Sequence, residues 1–234
     1  MILMRSSKLY AMVGLTLLTV LGLGAAVDGL KLTAKLGDER KFKLAANFTT
    51  GDGIAKVTGD VTRKVIKVAP DGTITLQETR SHLSLDLNGN QMSQDDAVMV
   101  KVLKPDGTLA ELRGEGAGPE AYRVATLSTV KLPDFPLAID KSWTWDVPAD
   151  ARHGSVLARA EYKVLGEERL HDIDTWKISS AVSEIGGSSP ASSSSTVWIS
   201  KSDASLVKSD STVKNLPLKG VGPMSGTQSL DLAP

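Results

Sequence analysis

Residues 57–88, VTGDVTRKVIKVAPDGTITLQETRSHLSLDLN, decide what kind of fold this chain adopts. Val57 to Val68 is crowded with β-branched side chains, which lose little in an extended backbone and pack well on a pleated surface. Pro70-Asp71-Gly72 then supplies a turn with a mechanism. Proline presets φ, the aspartate bonds back to the backbone, and glycine takes the left-handed position. The chain returns with Ile74 and Leu76 on one face, but Leu83, Leu85 and Leu87 carry the opposite parity. A one-residue slip turns every side chain over, so this phase change predicts a β-bulge between about Glu78 and His82. Bulges bend strands, so a curved sheet is expected.

The same grammar extends in both directions. Upstream, Phe42, Leu44, Ala46 and Phe48 alternate with more polar residues. Downstream, Val98, Val100 and Val102 lead into a second Pro105-Asp106-Gly107 turn and a return through Leu112. Val156 to Val164 and Trp176 to Val182 alternate again, and Thr196–Ser200 with Leu206–Val213 forms a last long hairpin. Residues 186–195 (GGSSPASSSS) are expected as a loop, residues 216–223 as irregular, and residues 227–232 as an edge strand. Pro119 to Leu127 is the best candidate for a helix, although Tyr122, Val124 and Thr126 fit a strand as well. The total is about ten to twelve strands.

The first 26 residues belong to another problem. Arg5 and Lys8 precede an apolar run from Leu9 to Leu23, and Gly24-Ala25-Ala26 provides the small residues of a cleavage site. Those are the three parts of a secretory signal peptide. The run is short for a membrane span, which takes roughly 20 residues. Export to the periplasm or exterior is expected, with an uncleaved N-terminal membrane anchor as the alternative. Cleavage after Ala26 leaves 208 residues, 27–234, read as one β-rich domain. Cysteine is absent, so apolar burial rather than disulfides must stabilise the exported chain. The 25 basic and 27 acidic residues that remain give a formal net charge of −2 and no electrostatic reason to bind nucleic acid.

The two halves echo each other. Lys104-Pro-Asp-Gly-Thr-Leu109 aligns with Lys201-Ser-Asp-Ala-Ser-Leu206, and Gly37-Asp38 before Phe42 and Leu44 resembles Ile139-Asp140 before Trp143 and Trp145. An internal repeat of 33–116 and 135–215 is the expectation, giving two similar antiparallel units around one core.

Three stretches carry a wider resemblance: Gly37-Asp38, Val65 to Thr73, and the proline-led Phe135 to Trp143. With them the chain resembles uncharacterised exported bacterial β-proteins whose sheets are related to the LolA, LolB and RseB lipoprotein-carrier fold. It departs at Asp140-Lys141-Ser142-Trp143, where a glycine would be expected before the Asp-Ser-Trp element. The resemblance spans most of residues 30–232. It implies an all-β, strongly curved antiparallel sheet, a half-barrel whose concave face shelters an acyl chain or other apolar ligand. It does not imply an enzyme.

Catalytic signals are weak. His171-Asp172-Ile173-Asp174 is the only local cluster with metal-ligand chemistry, and aspartate in a turn needs no metal. There is no Gly-x-Ser-x-Gly elbow and no cysteine nucleophile. Neighbouring carboxylates such as Asp95-Asp96 would point to opposite faces of a strand. No cofactor is expected. A hydrolase would need an acid pair assembled from distant strands. The remaining candidates are Trp143, Trp145 and Trp176, on alternating apolar positions. They fit either the core under a curved sheet or the lining of an apolar cavity. The leading expectation is a non-enzymatic binder of a lipid or other hydrophobic molecule. The alternative is a structural or interaction module of the cell envelope with a filled core, partnered by an envelope protein.

Overall fold

The computed structural model describes residues 29–234 except 52, 115, 188 and 219–221. The leader, residues 1–26, lies outside the described residues. Twelve strands run in chain order around a single helix among the described residues. The first half contributes β1 (Glu39–Thr50), β2 (Gly53–Val68), β3 (Ile74–Leu87), β4 (Asn90–Gln94), β5 (Ala97–Leu103) and β6 (Leu109–Gly114). Helix α1 (Pro119–Leu127) follows. The second half contributes β7 (Ser142–Val147), β8 (Ala158–Leu170), β9 (Ile173–Glu184), β10 (Ser192–Ser200), β11 (Leu206–Leu218) and β12 (Gly222–Leu232).

All of them join one open antiparallel sheet in the order β6-β5-β3-β2-β1-β12-β11-β10-β9-β8-β7, with β4 pairing the outer part of β3. The chain meanders outward from β1 to one edge, crosses through α1 to the far edge at β7, and meanders back. The last strand therefore meets the first. Residues 227–232, expected at an edge, lie instead at the centre of the sheet, between β1 and β11. The serine run 192–195, expected in a loop, opens β10, where serine hydroxyls bond across the strands, Ser195 Oγ to Ser211 Oγ at 2.8 Å.

The turns follow the chemistry that their residues dictate. Asp71 accepts from the Thr73 amide at 2.9 Å, and Asp106 accepts from the Thr108 amide at 3.0 Å. Gly72 and Gly107 both stand at φ +82°, and the second turn is closed by Lys104 N donating to Thr108 O and Gly107 N donating to Lys104 O. The Ser200–Ser205 turn between β10 and β11 repeats this pattern with Asp203 in place of Asp106 and Ala204, at φ 57°, in place of Gly107. At the entry to each half, Gly37 N donates to Val65 O and Asp140 N donates to Val164 O. Counted from those anchors, Phe42 opposite Val61 corresponds to Trp145 opposite Ala160. In the sequence echo Phe42 matches Trp143. The ladder moves that correspondence two residues on.

The phase change in β3 is a bulge. Asp60 pairs Ser81 and Thr58 pairs Ser84, so His82 and Leu83 oppose Gly59 alone. His82 takes φ 51°, a conformation histidine tolerates better than most residues. The bulge falls at the end of the expected window and turns Leu83, Leu85 and Leu87 onto the face that Ile74 and Leu76 occupy earlier.

The core fills only half of the inner face. Ala158, Ala160, Tyr162 and Val164 of β8, Ile178 and Val182 of β9, and Val197 and Ile199 of β10 are buried there. Leu127, Leu132 and Leu137, from the end of α1 and the crossing segment, cover them. Residues 119–127 form a helix, which opens with Pro119 where a missing amide costs nothing and carries the acidic Glu120 in its first turn. The Tyr122 hydroxyl accepts from the Leu112 amide of β6 at 2.9 Å. Arg123 donates two bonds to Glu184 of β9, at 2.7 and 2.6 Å. Helix α1 is thus pinned across the sheet's hollow.

Candidate ligand-binding trough

The other half of the inner face is not filled. Beneath α1, a concavity of about 1970 Å3 runs over β1, β2, β3, β5 and β6. Inward residues of each strand form its floor: Phe42 and Leu44, Val57 and Val61, Leu76 and Leu85, Met99 and Leu103. Val124 and Ala125 of α1 supply part of the roof. In β5 the inward positions are mainly the odd ones, Met99, Lys101 and Leu103, while Val100 and Val102 are absent from the lining and, of the valines, only Val98, 45% exposed at the strand's start, reaches it. Two of the three alternating valines that mark this strand in sequence, Val100 and Val102, are thus off the trough face.

One charged group interrupts the apolar floor. Glu78, 2% exposed, sits midway along β3. Arg63 stands directly opposite on β2, its Nε 3.0 Å from Oε2. Arg80, two residues along the same face, donates to Oε1 from Nη2 at 3.1 Å. From β5, Lys101 Nζ donates to Oε2 at 2.7 Å. Burial pushes the Glu78 carboxyl up, but the charges of Lys101, Arg63 and Arg80 outweigh it and hold it well below the usual carboxylate range. Burial pulls the Lys101 ammonium below its ordinary value; Glu78 opposes that shift, while Arg63 and Arg80 reinforce it. On β1, Arg40 lies opposite Arg63 in the register and meets Asp203 at 3.1 Å. The row Arg40–Arg63–Glu78 thus crosses three strands on the trough side.

The tryptophans are elsewhere. Trp143 stacks on Tyr162 at 5.1 Å between ring centres, and its Nε1 donates to the Lys131 carbonyl at 2.7 Å. Lys131 Nζ lies 5.9 Å from the Trp145 ring centre, and Lys201 Nζ lies 4.3 Å from that of Trp176. All three are half-buried against the filled core, and none lines the trough. For Trp143 and Trp145 the physical reason is the crossing segment, whose Lys131 and Phe135 pack against these rings. Trp198 is on the opposite side of β10 from Val197 and Ile199, donating to Glu168 at 2.8 Å beneath the stems of Lys177 and Lys208. Sequence reasoning missed the charged cluster, whose signal was a charge placed in phase with apolar neighbours: Arg63 between Val61 and Val65, and Glu78 after Ile74 and Leu76.

No protein-family model matches this chain, and no curated protein matches it. Among solved structures, it is similar to a DUF1329 family protein from Desulfovibrio piger, at 11% identity over 84% of each chain. The TM-score is 0.23.

Proposed function

We propose that this protein is a non-enzymatic, exported binder of a hydrophobic molecule, a lipid or acyl chain, held in the trough between the first-half sheet and α1. The observation that carries this reading is the unfilled apolar concavity of about 1970 Å3. Ligand sites are concave and mostly apolar, and half-closed sheets provide them readily. Each methylene moved out of water contributes about 0.8 kcal/mol, so roughly sixteen would supply about 13 kcal/mol, enough to cover about 4–5 kcal/mol of association cost and leave about 8. Binding in or near the micromolar range needs no polar chemistry beyond that. Export rests on the Arg5–Ala26 leader alone.

Two measurements test the proposal together. Protein purified from its native source is extracted and the extract analysed by mass spectrometry. The purified chain is also titrated with a fluorescent fatty acid. A co-purifying lipid and saturable binding that Leu85→Glu abolishes without loss of β-sheet circular dichroism are the expected results. An empty extract with no saturable binding would leave a structural or interaction module as the better account.

A further inference from the structure

Building on that reading, we infer that the ligand is an anionic amphiphile: a single apolar tail carrying a carboxylate or phosphate head, held by Arg40, Arg63, Arg80 and Lys101.

Those four cations and two acids, Glu78 and Asp203, share one stretch of the trough wall. The local excess is two positive charges in a setting where most neighbours are apolar. A cation in such surroundings is costly unless an acceptor meets it. Arg40 and Arg63 face each other directly across β1 and β2, an unfavourable pairing of like charges. Arg40 Nη1 is moreover buried without a hydrogen-bond partner among the described residues. Buried donors of this kind nearly always find an acceptor. One anionic head would offer oxygens to several of these donors and offset the excess charge at once. Guanidinium groups suit both head types because they can donate in parallel to two oxygens.

Placement supports the pairing of head with tail. The cation side chains are partly exposed, from 19% for Lys101 to 46% for Arg80, so a head group can reach them from solvent, and the bulge at His82 keeps the inner face apolar beyond them. From Arg80 to Leu87 the strand offers Leu83, Leu85 and Leu87 over a run of roughly 23 Å. A head at the cluster leaves that lane for the tail. Over the whole lining the side chains balance, five cations against five acids, so the excess is confined to the group around Glu78. Glu39 meets Lys41 at 3.8 Å, Asp38 accepts from the Lys35 amide at 2.7 Å, and Glu120 stands in the first turn of α1.

The test uses ligands of one tail and three heads: dodecanoate, dodecyl phosphate and dodecanol, each displacing a neutral fluorescent dye from the full chain. Inorganic phosphate is the tail-free arm. The two anions should bind at least about tenfold more tightly than dodecanol, the scale of one charge-assisted hydrogen bond. Added salt should weaken only the anions, and Arg80→Gln should narrow the ratio while Glu78→Gln widens it. Whichever anion binds more tightly identifies the head. Equal affinity for all three heads overturns the inference and leaves the apolar trough standing. Inorganic phosphate binding as tightly as dodecyl phosphate also overturns it, because the cluster would then be a free-anion site. If no tailed ligand displaces the dye, the proposed function fails as well.

Discussion

Arg63 and Glu78 face each other across the β2–β3 ladder, 3.0 Å apart, in the wall of a trough where Phe42, Val61, Val65 and Leu76 are among the neighbouring lining residues. Arg63 also lies over the Phe42 ring at 5.2 Å, so its planar group is held between an acid and an aromatic face. A buried pair of this kind is poor evidence for stability, because hydrophobic replacements often do as well. Its presence among apolar neighbours calls for another reason, and a charged ligand provides one.

Removing the acid should be expensive. Glu78→Gln leaves three cations around a neutral amide and should cost about 3–5 kcal/mol of stability, as for other broken buried pairs. The acid limb of the stability curve should change too. The depressed Glu78 carboxyl contributes stability that is fully present above its unfolded value and is lost as pH falls through the still lower folded value. Urea titrations of both proteins from neutral to strongly acidic pH should therefore converge at the acid end. Parallel curves at every pH would show that the carboxylate contributes nothing through its charge.

Trp143 should behave as architecture. Its ring stacks on Tyr162, meets Phe135 edge-on at 6.3 Å, and its Nε1 holds the Lys131 carbonyl. Trp143→Ala should lose about 3 kcal/mol, the scale of removing a large packed aromatic. Fatty-acid affinity measured where the variant remains folded should stay close to wild type, because the ring lies outside the trough. An affinity loss with unchanged stability would return this tryptophan to the binding surface.

Much of this fold was legible because its signals are local. Pro70-Asp71-Gly72, Pro105-Asp106-Gly107 and the parity change between Leu76 and Leu83 each depend on a few adjacent residues. What stayed hidden depends on pairing between distant segments. Nothing near Thr227 says that β12 will meet β1, since that follows from α1 carrying the chain to the far edge. The same holds for the trough. Arg40, Arg63, Glu78 and Lys101 come from four strands, and only the register places them together. Tryptophan drew attention in the sequence because it is scarce and large, but size suits the filled half of the sheet as well as a cavity.

Tyr162 gives a prediction at the alkaline end. Burial raises its hydroxyl from 10.0 to about 12, partly offset by the hydrogen bond from the Lys131 amide. A raised folded value means full stability below the unfolded value near 10, lost as pH climbs through the folded one. About 3 kcal/mol should disappear between pH 10 and 12. Tyr162→Phe removes the ionising group and should flatten that limb, although it also sacrifices the bond to Thr129 O at 3.0 Å. Phenolate absorbance followed during the titration should rise together with unfolding. A phenolate signal at its ordinary pH in the folded protein would contradict the assignment.

The seam between first and last strands is the remaining place where a small change should have a large effect. Gly226 lies in β12 opposite Phe48 of β1 and Val213 of β11. A Cβ there would collide with the Asn47 carbonyl oxygen and come within 2.8 Å of Phe48 Cα, both backbone atoms that cannot rotate aside. Gly226→Ala should therefore cost about 3 kcal/mol, the upper end for overpacking. Gly166 in β8 is the control, since a Cβ there meets nothing within 4 Å. Gly166→Ala should be neutral or stabilising by about 0.5 kcal/mol through the unfolded chain. Because Ala46 and Phe48 of the seam also line the trough, the Gly226 variant should bind a fluorescent fatty acid more weakly even where it remains folded. Stability and affinity both unchanged would mean that the two strands can part locally without moving the trough wall.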